Sequence, residues 1–124
     1  MRLIATLLLL ILTAPAWAEW VKYSESVDGI TEFYYDPATI TMNGNLRRVQ
    51  EIQDLEQRNS AGYQSYRVLS EYECSEVRFR ELGVSGFSER MATGTPLSMS
   101  HSTTSWSYVA PNTPAAVMLR IVCQ

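Results

Sequence analysis

Few side chains in this 124-residue sequence could take part in catalysis. His101 is the only histidine, and it lies in a serine- and threonine-rich segment where it could act as a base toward a nearby hydroxyl. No acidic partner stands at a spacing that would orient it. One histidine, two cysteines and scattered carboxylates also show no metal-ligand spacing. The sequence therefore predicts a protein that is not an enzyme, with no catalytic residue, no metal and no cofactor. A small hydrolase that uses His101 is the weaker alternative.

Cys74 and Cys123 are the only two cysteines, and we expect them to form a disulfide. In an oxidising compartment no other pairing is open to them. Closing a loop of about fifty residues should contribute roughly 4 kcal/mol in the chain-entropy model. Two buried thiols are the alternative. A redox role is not indicated, because there is no C-x-x-C spacing to lower a thiol pKa.

The possible binding residues are mostly aromatic. Six aromatic side chains could line one concave face and contact a ligand or a peptide: Trp20, Tyr34, Tyr35, Tyr66, Tyr72 and Trp106. The predicted binding surface consists of Trp20, Tyr66, Tyr72, Arg80 and Trp106. Packing in the core is the alternative for the rings, and a structural role is the alternative for Arg80. Residues 88–105 are predicted to form a mobile surface loop and to be the contact surface for a partner, because loops on a rigid scaffold often carry such contacts.

The first eighteen residues have the pattern of a secretory signal peptide. Arg2 gives a positive start, residues 3–12 are apolar, and Ala16 and Ala18 are small residues before a cleavage site. We expect cleavage between Ala18 and Glu19, which leaves one domain, residues 19–124, in the periplasm or outside the cell. The apolar run is short for a membrane span, so an uncleaved anchor is the weaker alternative. No cysteine lies near the cleavage site to carry a lipid anchor.

The charge of the chain argues against some classes of partner. Without the leader, nine basic and thirteen acidic side chains remain, a net charge near −4. Nucleic acids and anionic membrane surfaces require a concentrated basic patch, and the longest basic run is Arg47-Arg48. The sequence therefore predicts no nucleic-acid partner and no stable membrane insertion after removal of the leader. It does not indicate an oligomeric state.

Extended patterns dominate the first half of the domain. Residues 20–23 and 30–35 predict a hairpin, Asp36-Pro37 predicts a tight corner, and Asn43-Gly44 predicts the turn into a strand over Leu46–Leu55. In that strand apolar residues recur every three positions, which taken alone favours a helix. The turn requires an antiparallel return, so we interpret the segment as a strand.

Two central strands are predicted over residues 63–74 and 77–87. On the first, Glu71 and Glu73 are expected on a solvated face. On the second, Val77 and Phe79 are expected inside, while Arg78 and Arg80 face outward. These two arginines could form weak, exposed ion pairs with the two glutamates. A bulge or bend is expected near Gly83 and Gly86, and one weak edge strand near residues 97–100.

The end of the chain is predicted to be helical. Thr113 before Pro114 is typical of an N-cap followed by proline in the first turn, so we expect a helix from Pro114 to about Val122. A final strand is the alternative, since the segment contains β-branched residues. The predicted fold class is α+β: a single antiparallel sheet of about six strands, with a C-terminal helix held on one face by the disulfide.

Four motifs together resemble the surface-adhesin protein E family of small exported domains. Trp20 precedes the segment YYDPATI, residues 34–40, and Gly44-Asn45 follows. The third motif is Tyr72-Glu73-Cys74, with an arginine and a leucine after it: Arg80 and Leu82. The last motif leads to the terminal cysteine: Trp106, Val109, Pro111, Thr113 and Cys123. The chain departs from the family at Gln50 and Glu51, where family members often have apolar residues.

The resemblance implies both a fold and a function. The implied fold is an antiparallel sheet with a C-terminal helix held by a disulfide. The implied function is a non-enzymatic, adhesin-like binding domain with an unknown macromolecular partner, host extracellular-matrix proteins being one class. The alternative function is a soluble periplasmic accessory or small-ligand-binding module with no adhesive role.

Overall fold

The computed structural model describes residues 18–124, which form one antiparallel β-sheet and one helix. The elements are β1 (Val21–Glu25), β2 (Thr31–Tyr35), β3 (Thr41–Asn43), β4 (Leu46–Leu55), β5 (Ser65–Glu73), β6 (Arg78–Phe87), β7 (Pro96–Ser100), β8 (Ser107–Tyr108) and α1 (Pro114–Val122). A 3-10 turn, Pro37–Thr39, forms the predicted corner after β2. Residues 1–17 of the predicted leader, 1–18, lie outside the described residues, so the signal peptide and its cleavage remain predictions.

The sheet order is β1-β2-β4-β5-β6-β7. β4 and β6 have ten residues each. In addition to its neighbours in this order, each pairs near its beginning with one short strand. β3 pairs with β4, and β8 pairs with β6. The sheet therefore has eight strands, and the predicted number of about six is wrong because pieces of three and two residues also join it.

Strand β4 is buried on both faces, which explains its misleading apolar spacing. Val49 and Ile52 are both fully buried, yet an odd sequence separation places them on opposite faces of a strand. Val49 belongs to the core under α1, whereas Ile52 lies on the other face. A three-residue apolar repeat is therefore compatible with a strand here, because both faces of its centre are covered.

Helix α1 covers one face of the sheet, which we call the helix face. Met118 and Val122 pack with Val49 and Tyr72 in the buried core. Thr113 Oγ1 accepts a hydrogen bond from the Ala116 N–H, so the predicted cap and helix are confirmed. At the other end, Arg47 Nε donates to the carbonyl of Val122 at 3.0 Å. The sheet thus holds the helix at its C-terminal end by polar contact as well as by packing.

The predicted disulfide joins Cys74 and Cys123, with their Cα atoms 5.7 Å apart. Cys74 lies just after β5, and Cys123 is the C-cap of α1. The bond therefore ties the end of the helix to the turn between the two central strands.

The turn between β5 and β6 differs from the expectation at Val77. Val77 has a φ of 55°, and its side chain is exposed, so its predicted inward position is wrong. It occupies the last position of the turn, and β6 begins one residue later. Phe79 packs against the core as expected. The pairing of β6 shifts register beside both predicted glycines, Gly83 and Gly86.

The segment 88–105 is only partly the exposed loop that the sequence predicts. Its first part crosses the face opposite the helix and is anchored on two buried side chains. Asp54 accepts hydrogen bonds from Arg90 Nε and from the Met91 N–H, and Ser65 Oγ accepts from the Ala92 N–H. Residues 96–100 form the edge strand β7, in agreement with the prediction. The description as a mobile loop is therefore wrong for residues 90–92.

Candidate ligand-binding site

A cavity of about 470 Å³ opens on the helix face, between the sheet and the beginning of α1. Aromatic side chains from four strands line it: Tyr23, Phe33, Tyr72 and Phe79. Two carboxylates, Glu51 and Glu81, also face it. The remaining side comes from β8 and from residues 113–115 at the start of the helix. Its volume lies within the range of small-molecule sites, roughly 300–1,000 Å³.

Glu51 lies in the floor of the cavity. It is centrally placed on β4, opposite Tyr35 on one side and Val68 on the other, and it is 6% exposed. Tyr72 Oη donates to Glu51 Oε2 at 3.0 Å, and Tyr23 Oη donates to Glu51 Oε1. Tyr23 reaches this carboxylate from a position where β1 shifts its register against β2. The irregular edge strand therefore completes the site.

Burial determines the acid–base properties of this group. It raises the pKa of Glu51 above its usual value, and repulsion from Glu81 adds to the effect. Contacts with the hydroxyl groups of Ser70, Tyr23 and Tyr72 oppose that rise. Burial likewise raises the pKa values of both tyrosines, and the nearby Glu51 charge raises them further. Both tyrosines therefore remain hydrogen-bond donors toward Glu51.

The sequence did not single out Glu51 as a site residue. The sole signal was the departure from the family pattern at positions 50 and 51. Its alternation with Val49 along a strand would place both on one face, and a carboxylate beside a buried valine is unusual. That pattern could have pointed to a buried acid, but only after β4 had been assigned as a strand.

The five residues of the predicted binding surface do not form one surface. Tyr72 lines the cavity and is buried. Tyr66 stacks on Tyr63, with ring centroids 5.2 Å apart. Trp20 lies under the guanidinium group of Arg67, which is 5.6 Å from its ring centroid. Arg80 and Trp106 contact each other on the face opposite the helix. A binding role for each residue remains a separate proposal.

Arg80 and Trp106 belong to a charged cluster on that opposite face. Glu71, only 1% exposed, accepts hydrogen bonds from Arg48 and Arg80, so its predicted position on a solvated face is wrong. Arg78 and Arg80 both lie over the Trp106 ring, 4.5 and 4.1 Å from its centroid. Burial opposes ionisation of Glu71, but the two arginines outweigh it and hold its pKa below the usual value. The buried carboxylate of this cluster is fully paired with arginines, which is typical of an ion network that stabilises the fold.

The other candidates from the sequence are not assembled into a site. His101 lies near Gly83 and lines a shallow depression with Arg67 and Met99. Within residues 18–124 no hydrogen bond joins His101 to a serine hydroxyl. Within residues 18–124 there is also no group of three or more histidine, cysteine, aspartate or glutamate side chains that could hold a metal ion.

None of the helices in the described part of the chain has the length and apolar character needed to cross a membrane.

Comparison with known proteins identifies the family. The family model for surface-adhesin protein E matches residues 20–124. Among solved structures, crystal form II of Haemophilus influenzae protein E is similar, with a TM-score of 0.67 and 12% sequence identity. The alignment covers 88% of this chain and 90% of that one, and at this identity it supports the fold alone. No curated protein matches the chain. Because the family model covers nearly the whole sequence, the chain belongs to the surface-adhesin protein E family.

Proposed function

We propose that this chain is an exported, non-enzymatic binding protein with an adhesin-like role toward a macromolecular partner. The observation that carries the proposal is the family match over residues 20–124. The predicted signal peptide supports export to the periplasm or beyond.

The edge formed by β7 and β8 is the proposed contact surface for the partner. Both strands pair with β6, and every residue of both is exposed. Met99 and Tyr108 are 69% and 79% exposed, and Leu97 is also exposed. Exposed apolar side chains on an edge strand are a common feature of surfaces that bind another protein. This edge refines the predicted contact loop, because residues 90–92 are occupied by contacts with Asp54 and Ser65.

Surface labelling and fractionation of the native cell test the proposal. We expect labelled protein on intact cells or in the medium, with Glu19 at the mature N-terminus by mass spectrometry. Binding to immobilised extracellular-matrix proteins should then weaken in the Leu97→Ser, Met99→Ser double variant. Met42→Ser is the matched control, because Met42 is equally exposed but lies on β3. Protein confined to the periplasm would contradict an adhesive role.

A second function, small-ligand binding in the periplasm, is favoured by the cavity on the helix face. A surface adhesin does not require a 470 Å³ cavity with a buried carboxylate in its floor. A periplasmic location, together with saturable binding of a small molecule, would support this function over adhesion. The same fractionation experiment therefore separates the two proposals.

A further inference from the structure

Glu51 differs from the other buried carboxylates of the described chain in its partners. Asp54 and Glu71 both form ion pairs with guanidinium groups. Arg90 Nη2 lies 2.6 Å from Asp54 Oδ2. Asp36 accepts the backbone N–H of Ala38 in the turn that it caps. Glu51 receives hydrogen bonds only from hydroxyl groups, which supply no positive charge. Its carboxyl group therefore has no counter-ion in the cavity to stabilise its ionised form.

Glu81 adds a second acidic group to the same cavity. Neither Glu51 nor Glu81 takes part in an ion pair within residues 18–124, and no lysine, arginine or histidine lines the space between them. Their proximity is sufficient for Glu81 to raise the pKa of Glu51. Two carboxylates beside an accessible cavity create a negative potential that favours a cation and disfavours an anion.

The aromatic lining of the cavity also favours a cation over an anion. Tyr72 and Phe79 are stacked with centroids 5.8 Å apart, and Tyr23 lies 6.1 Å from Phe33. The faces of such rings carry partial negative charge and attract organic cations, while their apolar surface binds the attached carbon groups. A strongly hydrated metal ion would gain little from this lining. A cation with an apolar body would gain from both the rings and the carboxylates.

We propose that the cavity on the helix face binds an organic ammonium ion, with its charge at Glu51 and Glu81 and its carbon groups against the aromatic rings. The proposal rests on the small-ligand-binding function and names the class of ligand. The ammonium group replaces the counter-ion that Glu51 lacks. Tyr108 of β8 lines the cavity and is largely exposed, so a ligand can approach from the side of β8.

The beginning of helix α1 lies at the same cavity, and a helix N-terminus favours an anion instead of a cation. A helix N-terminus carries roughly half a positive charge, which favours anions. Here Thr113 already caps the helix, and Pro114 has no N–H to offer. The Glu81 carboxylate, joined by Glu51 when a cation beside it favours its ionised form, outweighs this capped terminus. The preference of the cavity as a whole is therefore for a cation.

Either a free amine or a lysine side chain of a protein partner could supply this chemistry. Both present an ammonium group on an apolar stem. The volume of about 470 Å³ holds a whole small amine, whereas a lysine side chain would enter from the side of β8, where Tyr108 is exposed. The test includes a probe for each source.

The experiment is calorimetric titration of the mature protein with three matched probes: phenethylamine, phenethyl alcohol and phenylacetate. At neutral pH these are a cation, a neutral molecule and an anion with the same ring. We expect phenethylamine to bind about tenfold more tightly than the alcohol, or better, and phenylacetate to bind least. A blocked tripeptide, acetyl-Gly-Lys-Gly-amide, tests the side-chain source. Tighter binding of the peptide than of the amine would assign the site to a protein partner.

Variants connect the preference to the two carboxylates. Glu51→Gln and Glu81→Gln should each reduce the preference for the amine over the alcohol, and the double variant should abolish it. Glu73→Gln is the matched control, because Glu73 lies on the opposite face with Arg78 and should leave binding unchanged. Glu81→Gln also keeps the test informative if Glu51→Gln fails to fold, since Glu81 is not buried.

Two results would overturn the proposal. Binding of the alcohol as tightly as the amine would remove the charge assignment but leave a small-ligand function in place. Absence of amine and peptide binding at millimolar concentration would refute the ammonium site itself. In the second case, saturable binding of another small molecule would still support the small-ligand function, so the two failures are distinguishable.

Discussion

The buried Glu71 carboxylate should contribute more to stability than the partly exposed Glu73 on the same strand, and Glu71→Gln measures that contribution. Glu71 accepts from Arg48 Nε at 2.8 Å and from Arg80 Nε and Nη2 at 3.0 and 2.7 Å. The glutamine keeps the size and shape of the side chain, removes its charge, and replaces one acceptor oxygen with an NH2 group that faces an arginine donor. The change therefore tests the charge and its hydrogen bonds together, with little effect on packing.

The expected magnitude follows from the exposure of the three side chains. Removing one partner of a fully buried ion pair costs about 3–5 kcal/mol. Glu71 is 1% exposed, but the side chains of Arg48 and Arg80 are 55% and 29% exposed and can regain water. We therefore expect Glu71→Gln to lower the free energy of unfolding by about 2–4 kcal/mol. In a domain of this size that loss corresponds to a melting temperature lower by roughly 9–18 °C.

Glu73→Gln provides a matched control on the same strand and the same face. Glu73 pairs with Arg78 at 3.1 Å, but its side chain is 18% exposed and has a single partner. We expect a loss of about 1 kcal/mol or less, as for partly solvated pairs. Both variants are compared with the wild type by urea unfolding at neutral pH. Equal losses for the two variants would refute the conclusion that burial and double pairing make Glu71 dominant.

The pH dependence provides a second check on the same residue. The pKa of Glu71 is held below its usual value, so the folded protein retains the ionised form to lower pH than the unfolded chain. Its stabilising effect is therefore complete above the unfolded pKa and is lost as the pH falls through the folded pKa. The stability difference between wild type and Glu71→Gln should be constant near neutrality and decrease in acid. A difference that grew on acidification would contradict the assignment.

Three further predictions concern other parts of the fold. Cys123→Ser should lower the unfolding free energy by roughly 4 kcal/mol, because the disulfide closes a sequence separation of 49 residues, and the double variant with Cys74→Ser should lose no more. Equal melting temperatures for oxidised wild type and Cys123→Ser would contradict this. Glu51→Gln should be more stable than the wild type at neutral pH, because the raised pKa of Glu51 makes the folded wild type lose stability as pH rises through the unfolded and then the folded pKa. In urea unfolding this advantage should vanish in acid, and a less stable variant at neutral pH would count against it. Gly86→Ala should cost about 1–3 kcal/mol, because the new Cβ would lie 2.2 Å from a ring carbon of Tyr63, and unchanged stability would show that the ring moves freely.

Local signals in the sequence were sufficient for most of the elements. Turn chemistry at Asn43-Gly44 and capping at Thr113 act within a few residues, so their consequences are visible without the tertiary structure. The pairing of the two cysteines required no geometry, because there was no third. The family motifs then gave the position of the helix on the sheet, and the structure agrees with it.

Burial on the second face of the sheet was beyond the same reasoning. Alternation placed Glu71 opposite Tyr72 correctly, but it could not show that Arg48 and Arg80 would close over that glutamate. Arg48 pairs from β4 and Arg80 from β6, at sequence separations of 23 and 9. Asp54 and Arg90 present the same difficulty across 36 residues. A one-dimensional pattern gives the face of a residue, while the partner across the sheet decides whether a charge on that face is solvated.

The partners of the buried carboxylates separate those that stabilise the fold from the one available to a ligand. A buried carboxylate reduces stability unless cations or several N–H groups compensate for its lost hydration. Glu71 and Asp54 have that compensation from arginines, and Asp36 has it from the turn that it caps. Glu51 has only the hydroxyl groups of its neighbours, which bring no positive charge, and burial raises its pKa despite them. Since a fold violates local rules mainly at functional sites, the residue that the fold leaves uncompensated is the best candidate for contact with a ligand.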